Sequence, residues 1–166
     1  MRMNRRDCSL LVVDIQARLL PHIHDGQEVL RHAQWLVEVA GQLAVPVVFT
    51  EQNRDKLGTT DPALLAAGGE SANVEKIHFS AVAEGCLGGT EVDRRPQVVV
   101  CGTESHVCVQ QTALDLRWQG KQVFVVEEAV GSRRPFDKRL ALERMRAHGI
   151  EIVSREMVAF EWLERA

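Results

Sequence analysis

The sequence has no apolar run long enough to cross a membrane. The longest near its start, Leu10 to Val13, falls far short of the roughly 20 residues a spanning helix needs, and short of a signal core. It has no basic tract beyond Arg2, Arg5 and Arg6, and its formal net charge is −3, so the electrostatic footprint of a nucleic-acid binder is missing. Its four cysteines, Cys8, Cys86, Cys101 and Cys108, contain no Cys-x-x-Cys pair and no zinc-ligand spacing. No internal repeat, low-complexity tract or linker interrupts it. These absences lead us to expect a cytoplasmic protein with free thiols and no membrane or nucleic-acid partner.

What is present reads as one α/β domain over residues 1–166, with 1–7 as a flexible N-terminus. At 166 residues, 45% hydrophobic and 26% charged, the chain can bury about 70% of its unfolded surface. Apolar runs alternate with helical periodicity, the pattern of a mainly parallel sheet between helices. Strands are expected at Ser9–Val13, Val45–Thr50, Asn73–Ile77, Gln97–Cys101, Gln122–Val126 and Ile150–Val153. Helices are expected at Gln27–Ala44, from Asp61-Pro62 to Ala67, and at Ser105–Gln119, Pro135–His148 and Arg155–Glu164. In the helix after the fourth strand, Val109, Ala113 and Leu116 form one apolar stripe, and Val107, Leu114 and Trp118 form another on nearly the opposite side. Two stripes imply burial all round, one against the sheet and one against a second subunit.

Chemistry concentrates at Cys108. It follows the apolar run Gln97-Val98-Val99-Val100-Cys101-Gly102 and lies near a helix start, where open α/β sheets bind ligands. Helix N–H groups and the helix dipole there favour a thiolate. Position alone leaves two readings open, a nucleophile and a buried structural thiol. Cys101, inside the strand, reads as a small buried hydrophobe. Asp14 ends the first strand, where it either caps a loop or serves as a base. With the strand order 3-2-1-4-5-6, it faces the loop that carries Cys108. Lys76 ends the third strand, about 10 Å from the first at roughly 4.8 Å per strand. Only a long side chain spans that gap, and a solvated lysine is the plain alternative.

Leu-Val-Val-Asp-Ile-Gln (11–16), the lysine after strand three, and the segment from Val98 through Cys108 to Leu116 resemble the isochorismatase-like cysteine hydrolases. Residues Glu127 to Arg133 are similar to that family's segment after strand five. The resemblance runs from about Cys8 to Leu163 and implies a Rossmann-like three-layer α/β/α sandwich. It implies a triad in which Asp14 is the general base, Cys108 the nucleophile and Lys76 the group that holds the charges. It also implies a cis peptide at Thr103-Glu104, with an oxyanion hole from the backbone N–H groups of Glu104 and Cys108. Each such donor is typically worth about 2.7–4 kcal/mol in the transition state. The implied activity is hydrolysis of a small amide or imide through a thioester. Alternatives are a non-catalytic binding or scaffold protein and an isochorismatase-type ether hydrolase, which does without the cysteine. A redox role lacks a resolving Cys-x-x-Cys partner.

One stretch departs from the nicotinamidase-like members, which carry an Asp-x-His metal motif and a further histidine after strand two. Here Thr50 to Leu57 contains no histidine, so we expect neither a catalytic metal nor another cofactor. Gln16, Glu51, Gln52, His78 and Phe79 are candidates for substrate contact, each with a packing or loop role as the alternative. His106 reads as a polar first-turn residue rather than the base. Arg133 and Arg134 are candidates for binding an anion, and Trp35 and Trp162 for a subunit contact.

Overall fold

The computed structural model describes residues 1–165. Six parallel strands, β1 (Cys8–Val13), β2 (Val47–Gln52), β3 (Ala72–Lys76), β4 (Gln97–Thr103), β5 (Gln122–Gly131) and β6 (Glu151–Val153), form one sheet in the order β3-β2-β1-β4-β5-β6. This is the expected order, and it sets the crevice between β1 and β4. Helices α1 (Gly26–Gln42), α2 (Arg54–Leu57), α3 (Pro62–Gly68), α4 (Ala81–Glu84), α5 (Glu91–Arg94), α6 (Gln110–Trp118), α7 (Pro135–Ala147) and α8 (Arg155–Leu163) complete the layers.

Strand residues alternate between two cores, as the pleat requires. Leu10, Val12, Val99 and Phe124 pack with Leu36, Val37 and Trp162 of α1 and α8. Leu11, Val13, Val98 and Val100 pack with Ala113 and Leu116 of α6 and Met145 of α7. Burial on both faces explains why these strands read as unbroken apolar runs. Where β1 meets β4, Val13 lies opposite Gly102. Gly102 has φ +128, and a Cβ there would sit 2.0 Å from the carbonyl oxygen of Val13. Only glycine lets the two strands come this close.

Several expectations need correction. The N-terminus is tied down: Met3 is buried in the α1-side core, and Asn4 N donates to Gln97 Oε1 at 2.7 Å. Strand β5 runs on to Gly131. Its register against β4 shifts between Val100 and Gly102, and the exposed Glu127 disguises the continuation. The segment Ser105–Val109 is a π-type turn that precedes α6, with Val109 N donating to Glu104 O. Such turns recur at functional sites. Trp162 is fully buried, so it is a core residue and not a subunit contact. Trp35 is half-buried and carries the Arg155 guanidinium 4.7 Å over its ring.

The two stripes of α6 part company. Val109, Ala113 and Leu116 are buried, Val107 and Leu114 are half-buried, and Trp118 is 92% exposed. No helix among the described residues is long and apolar enough to cross a membrane.

Candidate active site

Strand register brings three sequence-distant side chains to one place at the carboxyl end of the sheet. Asp14 follows β1 in the left-handed region, at φ 47, a conformation aspartate tolerates better than most residues. Its backbone is fixed on both sides. Asp14 N donates to Thr50 O at 3.1 Å, and Thr103 Oγ1 donates to Asp14 O at 2.7 Å. Lys76 closes β3 opposite Gln52 of β2. From there it reaches past β2, and its Nζ donates to Asp14 Oδ2 at 2.7 Å. Both side chains are wholly buried.

Every atom of this pair that can bond does so. Asp14 Oδ1 accepts from Thr50 Oγ1 at 2.6 Å. Lys76 Nζ also donates to Gln52 Oε1 at 2.6 Å and to His78 O at 3.4 Å. An ammonium has three protons, and three acceptors meet it here. A buried ion pair of this kind persists only when its remaining bonding capacity is filled.

Cys108 lies against this pair, 5% exposed, with its Sγ 4.0 Å from Gln52 Oε1. Burial pushes the thiol up to about 12; the Asp14 carboxylate adds to the rise and the Lys76 ammonium opposes it. This corrects the expectation of a standing thiolate. The π-type turn holds the sulfur ahead of α6, packed in the core with Val109 and Ala113. Desolvation there outweighs the ammonium. The resting site is therefore a thiol beside an ion pair.

The peptide Thr103-Glu104 is cis. The Glu104 carboxylate faces away from the sulfur and is gripped by Arg133. It accepts from Arg133 N and Nε at 3.1 Å and from Nη2 at 2.8 Å. Arg133 is thus committed to Glu104, while Arg134 is exposed. His106 Nδ1 lies 2.9 Å from Ser132 Oγ, in the turn after β5.

The weaker candidates separate. Gln16 Nε2 donates to Gln52 O at 3.1 Å and Gly58 O at 2.6 Å, and Gln52 N returns a bond to Gln16 Oε1 at 2.8 Å. Gln16 therefore braces the loop after β2. Glu51 turns away from the sulfur to accept from Thr60 N at 2.6 Å and Asn73 Nδ2 at 2.9 Å. Burial pushes its carboxyl up, but these bonds and Arg54 hold it below the usual range. His78 and Phe79 are exposed at the rim. The His78 ring bonds Glu84 Oε2 at 2.7 Å, and that oxygen also accepts from His78 N and Ile77 N. Thr50, Thr103 and Glu84 went unnoticed in the sequence, since a threonine in a strand and a glutamate in a four-residue helix carry no pattern of their own.

A cavity of about 530 Å³ opens elsewhere, between α1, the end of β5 and α7, lined by Asp25, His32, Glu128 and Lys138 among others. None of Asp14, Lys76 or Cys108 lines it. Among the described residues no three His, Cys, Asp or Glu side chains are grouped so as to hold a metal ion.

The chain matches the isochorismatase domain over residues 8–157. Among solved structures it is similar to the MAR1 ribonuclease of Caenorhabditis elegans, with 30% identity, a TM-score of 0.93, and coverage of 99% of this chain and 85% of that one. It is similar to YcaC of Pseudomonas aeruginosa, solved with hexane-2,5-diol and covalent acrylamide, at 25% identity and a TM-score of 0.92, covering 99% and 84%. The YcaC product of Escherichia coli, described as an octameric hydrolase of unknown specificity, shares the fold at 24% identity and a TM-score of 0.93, covering 99% and 83%.

Proposed function

This chain belongs to the isochorismatase family, and we propose that within it the protein is a cysteine hydrolase that opens the C–N bond of a small amide or imide. One observation carries the reading. A buried thiol lies beside a carboxylate that can accept its proton and an ammonium that can hold the resulting charge.

As Cys108 attacks the carbonyl carbon, its proton passes to Asp14 and a C–S bond forms. The carbonyl oxygen becomes an oxyanion, received by the backbone N–H groups of Glu104 and Cys108. The C–N bond then breaks, and the departing nitrogen takes the proton from Asp14, leaving a thioester. Water attacks the thioester while Asp14 accepts its proton; the acid leaves and the thiol is restored. Throughout, Lys76 balances whichever neighbour is negative. The scheme uses no metal and no cofactor. Support comes from the Pseudomonas neighbour, which carries acrylamide covalently and so holds a group reactive towards a soft electrophile.

The same burial favours a second reading, a binding or scaffold protein whose triad is idle. Mass spectrometry of the intact protein after incubation with a panel of amides and imides separates the two. An acyl adduct on Cys108, absent from Cys108→Ala, is the expected result; no adduct and no acid product would remove the hydrolase reading. RNA belongs in the panel because one neighbour is named a ribonuclease. We further assign the protein to the cytoplasm, where its four free cysteines stay reduced. We also assign it to a homo-oligomer joined through Val107, Leu114 and Trp118.

A further inference from the structure

We propose that Gln52 is a positioning residue of this site, whose amide oxygen holds the Cys108 thiol and the Lys76 ammonium in their resting places, and that it does not contact substrate. Both ends of its side chain are already engaged. Nε2 donates to Ile77 O at 2.6 Å, and Oε1 accepts from Lys76 Nζ at 2.6 Å. Turning the amide over would set its NH₂ against the ammonium and its oxygen against the Ile77 carbonyl, two repulsions in place of two bonds. The Ile77 carbonyl therefore dictates that an oxygen, not an NH₂, faces the sulfur at 4.0 Å.

That oxygen has a definite electrical effect. As an acceptor it favours S–H, and as the negative end of a dipole it disfavours S⁻. It also holds one of the three protons of Lys76, leaving the ammonium less free to swing toward sulfur. The titratable groups facing Cys108 are Asp14 from the end of β1 and Lys76 from the end of β3. Glu51 and Glu104 point elsewhere, and the His106 ring is engaged with Ser132. Gln52 thus adds a neutral bias toward the protonated state. Only a substrate that draws the proton onto Asp14 overcomes it, which suppresses idle reaction with other electrophiles.

The inference rests on Cys108 as the nucleophile, but its test needs no substrate. It reads iodoacetamide alkylation of Cys108 at pH 7.5, with Cys86→Ser as the background because Cys86 is only half-buried. Gln52→Met, similar in length but without the oxygen, should be alkylated about ten-fold faster, since the thiolate is the reacting form. Gln52→Glu, with a full negative charge at the same place, should be slower by a similar factor. Opposite signs identify the electrical role. Equal signs would mean that the variants merely loosen the site, and rates within two-fold of the parent would mean no role; either overturns the proposal. If Gln52→Met does not fold, the sign in Gln52→Glu decides. If neither folds, hydrogen exchange of the side-chain amides in the parent protein decides. Gln52 should exchange at least about ten-fold more slowly than the exposed Gln42, and equal rates would overturn the proposal. Failure of the hydrolase reading is a separate result, no acyl adduct and no acid product from the amide and imide panel.

Discussion

Cys101 in β4 and Cys108 just beyond it are both buried thiols, and both are pushed up to about 12. Their surroundings are nothing alike. Around Cys101 burial alone acts. Around Cys108 a carboxylate and an ammonium act on the sulfur in opposite senses. A raised thiol therefore reports burial rather than reactivity. What distinguishes the candidate nucleophile is a base within reach and a cation able to take over the charge that the base gives up.

Substitution sets the two sulfurs apart most sharply. Cys108→Ala should lose the acyl adduct and all turnover, whereas Cys101→Ala should keep both; an adduct that disappears only with Cys101 would reverse the comparison. Next in size is Asp14→Asn, which removes the base but keeps the shape. We expect turnover to fall about 10²–10⁴-fold. Thermal stability should fall too, because a buried ammonium without its counter-charge costs on the order of 3–5 kcal/mol. An asparagine variant with the parent rate would mean that Cys108 needs no more than Cys101 has.

A gentler probe is pH. Both thiols are raised in the fold above the ordinary value of about 8.5, so each contributes stability that is complete below that value and is lost as pH rises toward 12. The melting temperature should decline from about pH 9 upward, and less steeply in Cys101→Ala. Over the same range, alkylation of Cys108 should keep accelerating where a free thiol has levelled off. A plateau near pH 8 would show an unburied sulfur. The smallest effect on chemistry is expected from Trp118→Asp, remote from the sulfur on the outer stripe of α6. It should shift sedimentation toward the monomer without unfolding the chain; an unchanged sedimentation coefficient would leave that stripe without a partner.

Much of this arrangement is legible in the sequence because it follows from topology. The unbroken apolar runs fix a parallel sheet, and its strand order places the residue after β1 beside the turn after β4. A lysine two strands away then has one direction in which its length is useful. The protonation state of Cys108 is not legible. It depends on a π-type turn that carries the sulfur inward, and Ser105–Gln119 shows only ordinary helical periodicity. The partners of Gln52 and Glu51 are equally hidden. Neighbours in sequence, they sit on opposite faces of β2, and one bonds the ammonium while the other bonds Thr60 and Asn73. A strand's alternation says that they differ, but not which of them meets the sulfur.

The missing side chain at position 102 has a reach beyond its own strand. A methyl group there would act as a wedge between the strand that ends in the acid and the strand that leads to the sulfur. Prising them apart would lengthen the path the proton must travel while leaving every reactive atom present. The reactivity proposed for this centre thus depends in part on the absence of a single carbon atom where the Val13 backbone fills the space, and alanine at 102 should lower it without touching a single functional group.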